Sequence, residues 1–411
     1  MENSTKLFEL ALQLEPPWFI EDVRFTPKSK KHTGKLDIYL NFKKGSKFKD
    51  ADDAFCSVHD TISKTWQHLD FFQHTCLLHA RVPRIKASSG KVQLVEVPWA
   101  RKNSGFTLLF EAFAMLLIEN EMPVNKASQI LRVYAKRLWT VFNYWVSHAF
   151  CKDDPSSITC MGIDETSARK GHDYVMVTAD LDKRRVVFAT EGKDETTIEH
   201  LHNYFKTKGI NPEQVTHASI DMSPSFISGL SKHFPDTAIV FDRFHLKKML
   251  NEALDDVRKS ERRNHDQLKG NKYVFLKNQK NLTDRQRMIK FELIDAFPVL
   301  GEAVRLVELF DDFYTFDDKE QSAAFLSWWC DLVEESGIPS FKKFVKTIHT
   351  HWQGIINYTE AKISNGILEG INSKIQLAKR RARGFRHVTN FINMIYFIAG
   401  DLKFDYPLDS T

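Results

Sequence analysis

The chain has 411 residues, 42% of them hydrophobic, an ordinary share for a soluble globular protein and enough for at least one substantial core. Its net charge of +5 is mild, so any nucleic-acid footprint has to come from local clusters. No apolar stretch reaches the roughly 18–20 residues of a membrane span, and "MENSTKLFELALQLEPPW" does not have the form of a signal peptide. The five cysteines, Cys56, Cys76, Cys151, Cys160 and Cys330, are scattered and form no C-x-x-C pair. They exclude a disulfide framework and point to reduced thiols in a cytosolic protein.

Residues 1–104 read as a small β-rich module. "KLDIYLNF" (Lys35–Phe42) alternates like a strand, and Thr65–Lys86 has room for two more, with Pro83 and "ASSGK" as turn signals. From Gly105 the period becomes helical. "GFTLLFEAFAMLLIENE", "VNKASQIL" and "AKRLWTVFNYWVSHAF" predict three helices over 105–150, of the spacing found in a helix-turn-helix and equally in a plain three-helix bundle. Lys136 and Arg137 lie near the start of the third. "CKDDPSS" (Cys151–Ser157) reads as a linker.

Residues 157–257 carry the clearest pattern. "ITCMGID" is a strand expected to end at Asp164. "YVMVTADL" and "RRVVFAT" follow around a turn at Asp182–Lys183, then comes the helix "DETTIEHLHNYFKTKG". "VTHASID" is a strand ending at Asp221, followed by a helix with Ser223 as its cap. "TAIVFD" is a strand ending at Asp242, followed by a long helix. The order β-β-β-α-β-α-β-α is that of a ribonuclease H-like fold. Residues 258–350 read as an all-helical insertion, and 351–402 as returning helices.

In this topology the first and fourth strands are neighbours, which would set Asp164 and Asp221 face to face. Alone, each reads as a turn or cap residue. As a pair they repel, and a divalent cation relieves the repulsion. Two Mg²⁺ (or Mn²⁺) ions about 4 Å apart can activate an attacking oxygen and stabilise a leaving one. A third carboxylate is then needed. "SNGILEGINSKIQLAKRRARGFR" (Ser364–Arg386) holds one acid, Glu369, among Lys374, Lys379, Arg380, Arg381, Arg383 and Arg386. On a helix capped by Ser364 or Asn365, Leu368, Ile371, Ile375 and Ala378 form an apolar stripe. Glu369, Asn372, Ser373, Gln376 and Arg380 form a polar one. The acid can face a metal while the bases grip phosphate.

"GIDETSARKGHDY", "SIDMSPSF", "VFDRFHLKKMLNEALDDVR" and the segment from Ser364 to Arg386 resemble the DDE transposases of the ISL-three insertion-sequence family. The similarity runs from about Cys56 to Gly400. It implies Asp164, Asp221 and Glu369 as the catalytic, metal-holding triad. It also implies binding of terminal inverted repeats and target DNA by a homo-oligomer, at least a dimer, in the bacterial cytoplasm and on the nucleoid. One departure is visible. Where the family implies two cysteine pairs of a zinc ribbon, this chain has Asp50 and Asp53, then Ala87 and Gly90. Cys56, His59, His68, His74 and Cys76 are nearby, but without thiolate pairs zinc is not expected, and the module is read as a degenerate zinc-ribbon-like one.

The resulting expectation is a multidomain α/β protein. A degenerate zinc-ribbon-like module and a helix-turn-helix precede a ribonuclease H-like core with an all-helical insertion. Its function would be metal-dependent DNA cleavage and strand transfer. The alternatives are a catalytically impaired, transposase-derived repressor and a ribonuclease H-like nuclease without strand transfer.

Overall fold

A computed structural model describes residues 2–28, 34–168, 173–363 and 366–406. The chain divides into two units, Met1–Cys151 with Lys403–Thr411, and Lys152–Leu402. No helix among the described residues is long and apolar enough to cross a membrane.

The first unit opens on a helix that the sequence pattern did not reveal, α1 (Glu2–Ala11). Six strands follow: β1 (Trp18–Thr26), β2 (Lys35–Phe42), β3 (Lys47–Lys49), β4 (Phe55–Gln67), β5 (Thr75–Lys86) and β6 (Val92–Leu94). They form one sheet in the order β1-β2-β5-β4-β3, with β6 paired to β5. The β2–β5 pair is parallel and the others are antiparallel. Alternating side chains of β2 and β5 bury Leu36, Ile38, Leu40, Cys76, Leu78 and Ala80. Trp99 meets Trp18 and Trp66 edge to face, with ring centroids 4.9 and 5.7 Å away. Pro83 marks no turn. Strand β5 continues through it to Lys86, and the reversal comes where Gly90 N–H closes onto the Ala87 carbonyl. Pro83 lacks a donor, but its carbonyl still accepts from Val95 N at 3.0 Å, so pairing survives.

Two turns that lie far apart in sequence are tied by one carboxylate. Asp50 is buried and accepts from Ala54 N, Asp52 N, Ser88 N and Ser88 Oγ, at 2.9, 3.0, 2.9 and 2.6 Å. The bonds from Ser88, Ala54 and Asp52 hold Asp50 far below the ordinary carboxylate range. Asp50 and Ser88 belong to the two segments where the cysteine pairs were implied. The remaining candidate ligands go separate ways. Cys56 Sγ is 3.7 Å from Asp50. Cys76 is in the core, where burial pushes its thiol up to about 12. His68 bonds Thr107 Oγ1 at 2.8 Å, and burial pushes it down to about 4. The His74 ring packs against Phe25, and His59 is exposed.

Three helices complete the unit: α2 (Leu108–Glu119), α3 (Val124–Ile130) and α4 (Ala135–Lys152), the last running into the segment expected to be a linker. Thr107 caps α2 by accepting from Phe110 N at 3.2 Å. Fully buried Glu111 on α2 holds the group together. It accepts from Arg101 Nε at 2.7 Å, Ser104 Oγ at 2.5 Å and Trp145 Nε1 of α4 at 2.8 Å.

The second unit contains a five-stranded sheet of β7 (Cys160–Ser167), β8 (Tyr174–Asp180), β9 (Arg185–Glu191), β10 (His217–Ile220) and β11 (Ala238–Phe241). Its order is β11-β10-β7-β8-β9, antiparallel from β7 to β9 and parallel across β7, β10 and β11. Helices α5 (Glu195–Thr207), α6 (Pro224–His233) and α7 (Arg243–Arg262) alternate with the later strands. Pro224 occupies the first turn of α6, but the Ser223 side chain makes no capping bond. Then come α8 (Lys272–Leu276), α9 (Asp284–Ala296), α10 (Pro298–Phe310), α11 (Lys319–Ser336) and α12 (Pro339–Thr350). Their apolar faces, with Trp329 and Phe310 at the centre, continue the core beneath the sheet. The chain returns through α13 (Trp352–Ala361), whose Ile355 and Ile356 are buried, to α14 (Gly366–Ala382) and α15 (Val388–Ala399). The expected caps of α14, Ser364 and Asn365, lie outside the described residues.

Two outcomes follow for the first unit. Glu111→Ala leaves Arg101 and Trp145 Nε1 without their buried acceptor, and should cost about 3–5 kcal/mol in chemical denaturation. A loss below about 1 kcal/mol would remove Glu111 from this role. Asp50 has a lowered folded pKa, so its contribution is full above the unfolded value near 4 and fades as pH falls through the folded one. The Tm difference between the native chain and Asp50→Ala should therefore be large at neutral pH and shrink on acidification below about pH 4. A difference that does not change with pH would contradict it.

Candidate active site

Strand register builds the site. His217, Ala218 and Ser219 of β10 lie beside Cys160, Met161 and Gly162 of β7, a constant offset of 57 residues. Asp221 is also 57 residues beyond Asp164, so extending the register two residues past its last pair would bring the two to the same level on adjacent strands, and the Asp221 charge acts on Asp164. The β10–β11 register has an offset of 21, which brings Asp242 level with Asp221. Asp242 N donates to the Ile220 carbonyl at 3.0 Å, which extends the ladder to that point. Three aspartates thus form a row across three parallel strands. Asp221 and Asp242 lie just past their strand ends. Asp164 does not, because β7 continues to Ser167 through antiparallel pairing with β8.

Each carboxylate is held differently. Asp164 Oδ1 accepts from Glu165 N at 2.7 Å, and Oδ2 from Asn372 Nδ2 at 2.6 Å. Burial raises its pKa and the Asp221 charge adds to this, while the bonds from Glu165 N and Asn372 and the charge of His245 oppose it. Asp221 Oδ1 accepts from Ser223 N at 3.0 Å. Buried Asp242 caps α7, taking Phe244 N on Oδ1 and His245 Nδ1 on Oδ2, both at 2.9 Å. That bond to Asp242 raises the pKa of His245, and the charges of Asp242, Asp221 and Asp164 raise it further. Glu165 feels the same two aspartates, but burial is the main reason its pKa rises.

Helix α14 lies along β7. Leu368, Ile371 and Ile375 are buried, as the apolar stripe implied. Leu368 seats over Gly162, where a Cβ would come within 2.6 Å of Leu368 Cδ1 and 2.8 Å of Leu181 Cδ2. On the polar stripe Asn372 binds Asp164, Gln376 Nε2 donates to Thr166 Oγ1 at 3.0 Å, and Lys379 Nζ donates to the Ser167 carbonyl at 2.6 Å. Glu369, one turn before Asn372, is exposed and has no hydrogen bond or ion pair among the described residues. Lys374, Arg380, Arg381, Arg383 and Arg386 are exposed as well. The helix ends where Gly384 N reaches the Lys379 carbonyl at 2.9 Å, with Arg383 and Gly384 at φ of 57° and 89°. Among the described residues, no three His, Cys, Asp or Glu side chains gather closely enough to hold one metal ion.

The first unit carries Lys136 and Arg137, both exposed on the first turn of α4. The Arg137 guanidinium lies 4.1 Å from the centre of the Phe106 ring, so part of its surface serves packing.

Residues 161–395 match the family model of the ISL3 transposases with the DDE domain, described as a transposase. The chain belongs to this family. Residues 95–146 also match the helix-turn-helix domain of transposase family ISL3, so α2, α3 and α4 belong to a DNA-binding module rather than a plain bundle. The transposase for insertion sequence element IS1557 of Mycobacterium tuberculosis is 26% identical over 354 residues, 79% of this chain and 78% of that protein. The transposase for insertion sequence element IS1001 of Bordetella parapertussis is 25% identical over 342 residues, 80% and 82% of the two chains. The protein is therefore an insertion-sequence transposase with a helix-turn-helix, and transposases with this DDE domain generally use divalent metal ions.

Sequence reasoning missed Asp242 and His245 as parts of this transposase's carboxylate row. The signal was available in "TAIVFDRFH", a third buried strand ending in Asp with His three residues on.

Gly162→Val should destabilise the transposase by about 1–3 kcal/mol through overpacking against Leu368. Adding Leu368→Ala should cost less in that background than in the native one, because the colliding atoms are the ones removed. Strict additivity in denaturant titrations would separate Gly162 from α14 docking.

Proposed function

We propose that this transposase binds the ends of its insertion sequence and performs metal-dependent DNA cleavage and strand transfer at Asp164, Asp221 and Glu369. The observation that carries the proposal is the level row of aspartates together with the Asn372–Asp164 bond, because Glu369 is one turn from Asn372 on the same helix face. The strand order β11-β10-β7-β8-β9 supports a ribonuclease H-like core, with the helices from α8 to α12 as its insertion.

The donor set suits Mg²⁺ or Mn²⁺, which prefer carboxylate oxygens. Asp164 carries a raised pKa from burial and from Asp221, a penalty that a bound cation removes. Glu369 keeps a free, solvent-facing carboxylate among the described residues. When bound, two divalent ions supply activation of the attacking oxygen and stabilisation of the leaving one. The chain supplies position. Asn372 orients Asp164 Oδ2, and Lys379 and Gln376 pin α14 to β7. Lys374, Arg380, Arg381, Arg383 and Arg386 then face phosphate along the same helix and its exit. Lys136 and Arg137 contact the terminal repeat from α4. Synapsis of two ends requires at least a dimer, working in the bacterial cytoplasm on nucleoid DNA. Zinc has no part in this reading, since Asp50 and Ser88 join by direct hydrogen bonds.

Purified transposase incubated with element-end duplex and Mg²⁺ should nick the DNA and then join the freed 3′ end to target. Asp164→Ala, Asp221→Ala and Glu369→Ala should each lose cutting while retaining binding in a mobility shift. Near-normal cutting by any of the three would remove that residue from the triad.

A further inference from the structure

Beside Glu369 lies a cavity of about 340 Å³, lined by Asp242, Arg243, Phe244, Lys247, Tyr358 and Ile363 on its remaining walls. Its most unusual member is Phe244. The buried face of α7 runs through Leu246, Leu250, Leu254 and Val257, and Phe244 falls off that stripe. It is 54% exposed, and its ring lies against that of His245, with centroids 5.8 Å apart. Core packing therefore does not explain a Phe at this position. Its backbone is firmly placed, because Phe244 N is bound by the buried Asp242 carboxylate. Tyr358 and Ile363 add apolar surface. Lys247, 2.6 Å from Asp311, and Arg243, over the Tyr314 ring at 4.2 Å, add held positive charge.

A flat aromatic wall, two anchored cations and a volume near the lower end of ligand pockets (about 300–1,000 Å³) suit one nucleotide and exclude a duplex. We propose that this cavity receives a single nucleobase displaced from the DNA next to the phosphate that is cut, its ring stacked on Phe244. The flanking phosphate lies toward Arg243 and Lys247. This rests on the reading of Glu369 as part of the cleavage site. Removing one base from the stack would free the backbone to bend into the row of aspartates, at an unpairing cost that stacking offsets.

The test uses full-length transposase and an element-end duplex with 2-aminopurine placed in turn on either side of the mapped cut, with fluorescence and strand cutting read on the same samples. The native chain should raise the fluorescence at one position on binding. Phe244→Ala should abolish that rise and slow cutting by roughly 5- to 150-fold. Phe244→Trp should retain cutting. A mismatch at the same base pair should restore cutting by Phe244→Ala, since the unpairing is then already made. Cutting by the native chain with no fluorescence change at any position, or an unchanged response in Phe244→Ala, overturns the cavity's role and leaves the triad standing. Absence of cutting by the native chain overturns both readings.

Discussion

Parallel register across three strands is the constraint from which the rest of this transposase follows. A parallel pair has one fixed offset, and here the offsets of 57 and 21 residues are also the spacings from Asp164 to Asp221 and from Asp221 to Asp242. A slip by one residue would turn each carboxylate to the opposite face. The same register brings carboxylates together in a half-buried place, where burial raises the pKa of Asp164 and the Asp221 charge adds to it. His245, held by Asp242, lies within reach of the charges of Asp164 and Asp221, which raise its pKa.

Helix α14 shows how one amphipathic segment can serve three surfaces. Its apolar stripe closes the core at Gly162, where the absence of a side chain lets Leu368 approach the sheet. Its polar stripe splits by position. Asn372, Gln376 and Lys379 are used on β7, while Glu369 and the later bases face outward. A lone acid among bases is thus a matter of depth along the helix. The acid comes where the helix passes the aspartates, and the bases come where it leaves them.

The first unit solves a different problem. Its turns lie far apart in sequence and need a tie. Here a buried carboxylate with four hydrogen bonds joins the two turns, and a buried Glu111 joins the loop before α2 to α4. Both are buried acids that satisfy several donors from separate segments at once, so they specify one arrangement as well as stabilise it. Helix α4, whose first turn is exposed, is held to that loop through Trp145.

What is local was legible in the residue pattern. Period two marked Lys35–Phe42, and a 3.6-residue period marked α2, α3, α4 and α14. Buried runs followed by Asp marked the ends of β10 and β11, and the alternation of strands and helices predicted their parallel neighbours. Those features depend on residues within a few positions of one another, which periodicity encodes. Tertiary structure alone decided the rest. It carried β7 past Asp164 by pairing with β8 and carried β5 through Pro83. It used Lys379 on the Ser167 carbonyl, set Asp50 against Ser88, and put Asp242 and His245 in the row with Asp164. Apart from the β7–β8 hairpin, these are contacts between residues tens to hundreds of positions apart. Their energy depends on burial and hydrogen-bond geometry that exist only once the sheet has closed and the helices have packed.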